Sequence, residues 1–154
     1  MTKYETLLDE AHKKKLKVKE YPLQGNDGRI YNNRIAIRSD IETEKEKACV
    51  LAEELGHYCT TTGNILDQSK DMNRKQEYRA RLWSYNHMVG LRGIIRAYDN
   101  GCSDIHEMAA YLDVTEEYLE AAISCYKSKY GICKIVDNYV IYFIPHFKVG
   151  KIIN

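Results

Sequence analysis

Two glutamates and a histidine lie within one short stretch of the chain, at Glu53, Glu54 and His57. Glu53 and His57 are four residues apart, so a helix would place their side chains one above the other on the same face. Glu54 would lie about 100° further round that helix, beside the pair. An imidazole and a carboxylate on one face can bind a divalent metal ion, and a neighbouring carboxylate can take a proton from metal-bound water. The stretch therefore indicates a hydrolytic metal site.

One position separates this stretch from the zinc-binding pattern His-Glu-x-x-His, in which two histidines hold zinc and the glutamate handles a proton. Glu53 stands where that pattern has its first histidine. A carboxylate can bind zinc, so Glu53 is a candidate ligand. A hydrolytic zinc site uses three protein ligands, and Glu77, twenty residues after His57, is the candidate for the third. Glu54 would then deprotonate the metal-bound water and later protonate the leaving amine.

Two helices must position these residues. The first is predicted over 39–62, because Ser39 and Glu42 have the spacing of a capping box and Gly63 can end a helix. Its predicted core positions are Ala48, Leu51, Ala52 and Leu55. The second helix is predicted over 73–89, with core positions at Ala80, Leu82, Trp83 and His87. Antiparallel packing of the two would bring Glu77 alongside His57. Cys49, one turn before Glu53, is either a further ligand or, as we favour, a small core residue.

Short elements flank the two helices. A helix over 4–15 and a strand over 16–21 are predicted first, followed by a hairpin of 29–31 and 34–37. These strands would form a small antiparallel sheet. From residue 91 on, three short helices, the later two capped by Ser103 and Thr115, precede a hairpin of 132–136 and 139–143. That order is typical of a winged helix. We therefore predict an α+β protein with a core at 1–90 and a helix-turn-helix or winged-helix-like region at 91–154.

The two motifs resemble those of the ImmA/IrrE metallopeptidases of mobile elements and bacterial stress regulation. E-E-L-G-H at 53–57 is similar to the family's H-E-L-G-H, and E-Y-R-A-R-L-W at 77–83 to its E-x-x-A-N-x-F. The resemblance implies a zincin-like minimal peptidase core over about 1–90. It also implies zinc as cofactor, His57 and Glu77 as ligands, and Glu54 as general base. The implied function is regulatory proteolysis, in which a DNA-binding repressor of a prophage or mobile element is cut.

Two departures from the family pattern leave an alternative open. Glu53 replaces the first histidine, and Arg81 stands where the family usually has Asn or Asp. Two anionic ligands would neutralise the charge of the metal and make it a weaker Lewis acid. Arg81 could instead form a salt bridge with Glu53 and leave the site without metal. The chain would then be a catalytically inactive member that binds its partner as an anti-repressor-like module.

Composition narrows the class of protein. The chain has 154 residues, of which 44% are hydrophobic and 29% charged, as expected for a globular protein. The five cysteines form no Cys-x-x-Cys pair and are expected to be reduced thiols. No apolar run is long enough to span a bilayer, and no signal-peptide core follows Met1. We expect a cytoplasmic protein without a membrane partner.

No direct nucleic-acid partner is expected either. The net charge is only +1, which argues against a polyanion as the main partner but leaves room for a local patch. The predicted recognition helix of the C-terminal region begins with three acids that would oppose DNA phosphates, namely Glu116, Glu117 and Glu120. The thirteen tyrosines are scattered along the chain and are interpreted as packing at the edge of the core.

Overall fold

A computed structural model describes residues 1–61 and 70–153. It has the predicted α+β class, with helices and two small sheets. The chain divides into two compact units, Met1–His87 and Met88–Asn154, which are described separately. No helix within the described residues is both long and apolar enough to cross a membrane.

The first unit begins with α1 (Lys3–Lys13), which starts at a capping box formed by Thr2 and Glu5. Three strands follow, β1 (Lys17–Tyr21), β2 (Gly28–Tyr31) and β3 (Arg34–Arg38). The predicted hairpin of β2 and β3 is confirmed, with antiparallel pairing. The prediction of a purely antiparallel sheet is wrong, because β1 pairs in parallel with β3 and the order is β1-β3-β2. β3 takes the centre because Ile35 and Ile37 are its buried residues, whereas both outer strands are largely exposed.

The helix α2 (Glu44–Thr60) carries the predicted site. It begins five residues later than predicted, because Thr43 and not Ser39 caps it and accepts a hydrogen bond from the Glu46 amide. Ser39-x-x-Glu42 and Thr43-x-x-Glu46 have the same capping spacing. Gly63, the predicted end, lies outside the described residues, and the helix has already ended at Thr60. The four predicted core residues of α2 are all buried, and Cys49 is buried with them.

The helix α3 (Lys70–Met88) follows. Ala80 is buried as predicted, but the core position predicted for His87 is wrong. His87 is exposed, its Nε2 lies 2.7 Å from Glu10 Oε2, and its ring stacks on Trp83. Trp83 is half-buried, whereas Ser84, Tyr85 and Met88 are buried.

The second unit contains α4 (Gly90–Asp99), α5 (Ile105–Leu112) and α6 (Glu116–Tyr130). Thr115 caps α6 as predicted, but Asp104 caps α5 in place of Ser103. An antiparallel sheet follows, with β4 (Cys133–Val136), β5 (Tyr139–Tyr142) and β6 (Lys148–Lys151) in that order. The predicted hairpin is β4 and β5, and β6 was not predicted. The three acids at the start of α6 are all exposed.

Candidate active site on the second and third helices

The predicted catalytic and ligand residues of α2 lie on its side away from the core. Glu53, Glu54 and His57 are all half-buried, whereas Leu51, Ala52 and Leu55 are fully buried. His57 belongs to the last turn of α2. The carbonyl groups at that end of a helix carry partial negative charge, which favours a cation nearby. The sequence therefore places one imidazole and two carboxylates at a surface with access to ligands.

A close approach of α2 and α3 brings the two motifs together. Gly56 faces the backbone of Ala80, and a Cβ atom at Gly56 would lie only 2.3 Å from the Ala80 carbonyl oxygen. Both residues are buried, Gly56 within α2 and Ala80 within α3. Only a glycine lets the two main chains come this near. The contact explains why a glycine precedes His57 and why a small residue follows Glu77 by three positions.

His57 and Glu77 meet directly because of this approach. His57 Nε2 lies 3.3 Å from Glu77 Oε2, and the two side chains are 27% and 47% exposed. The structure thus brings together two of the predicted ligands, from two different helices. A partly exposed pair of this kind is reachable by a substrate.

The pKa of Glu53 is affected by Arg81. Burial is the main reason that the pKa of Glu53 is raised above its ordinary value. The Arg81 guanidinium opposes this rise in pKa, and the carboxylates of Glu77 and Asp27 add to it. The structure therefore places the replaced ligand position and the unusual arginine close enough to interact electrostatically.

Glu54 lies beneath the strand β2. Burial, followed by the carboxylates of Glu53 and Glu77, raises the pKa of Glu54 to about 7. A Cβ atom on Gly28 would lie 3.0 Å from Glu54 Oε1 and 2.7 Å from Val50 Cγ1. Gly28 therefore allows β2 to pass directly over this carboxylate. Neither the β2 contact nor the role of Gly28 was predicted.

A cleft opens beside His57. It is lined by residues of β2 and the turn after it, by the end of α2 and by α3, namely Ile30, Tyr31, Asn32, His57, Tyr58, Thr61 and Gln76. β2 is an outer strand of its sheet, with β3 as its neighbour on one side. Its other edge pairs with no strand within residues 1–61 and 70–153, and this free edge runs from Glu54, at Gly28, towards the His57 cleft, at Tyr31.

The donor atoms fit a zinc ion in part. Tetrahedral zinc with its ligands at about 2.0–2.1 Å separates two of them by about 3.3–3.4 Å. The 3.3 Å between His57 Nε2 and Glu77 Oε2 equals that separation. Within the part of the chain whose side chains are described, however, no three His, Cys, Asp or Glu residues are gathered closely enough to hold a metal. His57 and Glu77 fit, and Glu53 does not complete the set.

The other histidines have separate surroundings. His87 contacts Glu10 in the first unit, and His106 Nδ1 contacts Glu116 Oε1 in the second. Neither belongs to the site. The residues that sequence reasoning missed are Gly28 and Gly56, which shape the site through their missing side chains. A glycine inside a predicted helix is the signal that could have found Gly56, whereas Gly28 preceded the predicted strand of 29–31 and no such signal marked it.

Two helices are thus joined by a close main-chain contact, with a histidine facing a glutamate beside an edge strand. Residues 9–124 match the family described as Peptidase_M78, IrrE N-terminal-like domain, and the chain belongs to that family. The matched range extends past the first unit into α6. No curated protein and no solved structure gives a match to the chain.

Proposed function

We propose that this chain is a zinc-dependent endopeptidase that cuts a DNA-binding repressor of a prophage or mobile element in the cytoplasm. The observation that carries the proposal is the meeting of His57 and Glu77 at 3.3 Å. Membership of a peptidase family supports it. His57 and Glu77 would hold zinc, and Glu53, which the structure does not gather with this pair, would have to move towards it to serve as the third ligand. Zinc, when bound, supplies a Lewis acid and an acidified water.

Glu54 is the proposed general base. It neighbours the His57 and Glu77 pair and lies beneath β2. There it would take the proton of the attacking water and pass it to the leaving amine. To carry out both proton transfers, Glu54 must reach the oxygen of the attacking water and the nitrogen of the leaving amine. Its position beside His57 and Glu77 suits both transfers.

The free edge of β2 would position the substrate. An extended peptide can add to a sheet edge through main-chain hydrogen bonds, which fix its direction without demanding a particular sequence. A peptide paired with β2 would lie between Gly28, next to Glu54, and Tyr31, next to the His57 cleft. Its backbone carbonyl groups would therefore pass the proposed base and ligands. A flexible segment between two domains of a repressor would be a suitable substrate.

Metal content and cleavage test the proposal together. Protein purified from zinc-supplemented medium should contain about one zinc ion per chain, measured by inductively coupled plasma mass spectrometry. His57→Ala should reduce the zinc content to background. Glu54→Gln should keep the zinc and cut a repressor encoded by the same mobile element ~10²–10⁴-fold more slowly. His87→Ala is the matched control, because it removes the other histidine that contacts a glutamate in the first unit. Loss of zinc in this control as well would contradict the assignment of His57.

A second candidate is favoured by the proximity of Glu53 and Arg81. If these two residues neutralise each other, the same cleft and β2 edge would hold a repressor without cutting it. Wild-type protein would then bind the repressor while carrying well under one equivalent of zinc. Added zinc would not make this protein cut the repressor, a result that separates this anti-repressor-like module from the peptidase.

A further inference from the structure

The side of the N-terminal sheet that faces away from its buried isoleucines is strongly basic. Alternate residues of each strand point to the same side. The register aligns Lys17, Arg34 and Tyr31 in one row across the three strands. It aligns Lys19, Ala36 and Arg29 in the next row. We call the following set the basic sheet face: Lys17, Lys19, Tyr21, Arg29, Tyr31 and Arg34. Together with Ile35 and Ala36 these residues line one shallow groove.

The four cations of the basic sheet face form no ion pair with any other residue that the structure describes. Neighbouring charges behave differently, since Arg38 pairs with Asp27 and Asp40, and Lys47 pairs with Glu20. The lining contains no carboxylate. In a chain with a net charge of +1, this is a concentrated positive field that suits an anionic ligand.

Two tyrosines stand at opposite corners of the basic sheet face. Tyr21 is 59% exposed and Tyr31 is 73% exposed, so the interpretation of tyrosines as core-edge packing is wrong for these two. They lie two strands apart, and their partners on β3, Arg38 and Arg34, are four residues apart. With strands ~5 Å apart and ~3.3 Å per residue, the two backbone positions are separated by roughly 16 Å. Two flat rings therefore bracket the cations.

We propose that the basic sheet face binds single-stranded nucleic acid without strong sequence preference. Lysine and arginine side chains would contact phosphates, and bases would stack on Tyr21 and Tyr31, the combination that single-strand binding surfaces use. An acidic protein segment would need only the cations and would leave both rings unused. A duplex keeps its bases stacked on one another and would also leave the rings unused. The expectation of no nucleic-acid partner rested on net charge and on α6, and neither concerns this surface.

Fluorescence anisotropy of the full chain with a labelled oligothymidine of about 15 nucleotides tests the proposal. We expect measurable affinity at about 50 mM salt, weaker binding to a duplex of equal length, and weaker binding still to a polyglutamate peptide. Four phosphate contacts give a slope of log K against log salt of about −2.8 for a single strand. Lys19→Ala with Arg29→Ala should reduce that slope by about half.

Variants of the rings separate stacking from charge. Tyr21→Ala and Tyr31→Ala should each weaken binding roughly fivefold or more, while the slope of log K against log salt stays the same. Tyr21→Phe and Tyr31→Phe should retain the affinity, because phenylalanine keeps the ring. Lys127→Ala with Lys129→Ala is the matched control, since both lysines are exposed on α6. The proposal is overturned if the duplex or polyglutamate binds as tightly as oligothymidine, or more tightly. It is also overturned if Tyr21→Ala and Tyr31→Ala leave the affinity unchanged, or if the α6 control loses as much affinity as they do. Absence of binding at low salt overturns it as well.

Discussion

Gly56→Ala is the substitution that most directly probes how α2 and α3 are joined. The new methyl carbon would lie 2.3 Å from the Ala80 carbonyl oxygen, whereas ordinary contacts begin at 3.4 Å. The helices must therefore separate by about 1 Å, because the opposing atom belongs to the backbone and has no rotamer to change. Overpacking costs ~1–3 kcal/mol, and alanine returns about 1 kcal/mol of helix propensity. With the cost at its upper end, the expected net loss of stability is about 2 kcal/mol.

Urea unfolding followed by the fluorescence of Trp83, the single tryptophan, measures this loss in the first unit. A separation of about 1 Å would also part His57 from Glu77, so zinc affinity should fall together with stability. Gly93→Ala, followed by circular dichroism, is the control. Its new carbon would lie 3.2 Å from a Leu112 methyl group, which can move, so stability should stay the same or rise. A Gly56→Ala protein as stable as wild type would refute the reasoning from main-chain contact.

The remaining predictions concern charge. Glu53→His combined with Arg81→Asn should bind zinc more tightly than wild type in competition with a chromophoric chelator, because the change supplies an imidazole nitrogen, a preferred zinc ligand, and removes a neighbouring cation. Equal or weaker binding would contradict this. The contact with Glu116 raises the pKa of His106, so its contribution to stability is present below the unfolded pKa and is lost as pH rises through the folded pKa. Glu116→Gln should lower the pKa of His106 in an NMR titration, and an unchanged value would show that Glu116 is not the cause.

Much of the fold follows from local patterns in the sequence. The apolar residues of α2 recur at helical spacing, so its buried face was predictable, as was the β2–β3 hairpin around Asn32 and Asn33. The start of α2 was not predictable, because Ser39 and Thr43 have equivalent capping patterns. Only tertiary contacts determine which of the two residues caps the helix. Ile41, between them, is buried. The parallel pairing of β1 with β3 depends on contacts distant in sequence, which local patterns do not encode.

The candidate site was also predictable from the sequence only in part. The spacing of Glu53, Glu54 and His57 places them on the side of the helix away from its buried face, and the twenty-residue interval to Glu77 suggested the neighbouring helix. The distance between His57 and Glu77 depends on a backbone contact at Gly56, which residue type alone does not give. His87 was assigned to the core from periodicity, yet Glu10 from a distant helix gives it a polar partner at the surface.

The two outer strands of the N-terminal sheet differ in their tendency to self-associate. β1 has Lys17 and Lys19 within it and Pro22 just after it, features that discourage pairing with another copy. β2 has no proline and a single charge, at Arg29. Intermolecular strand pairing, and the aggregation that follows from it, is therefore expected to begin at β2. A peptide bound along that edge would protect the protein from aggregation, so a tight-binding repressor segment should also improve solubility in concentrated solution.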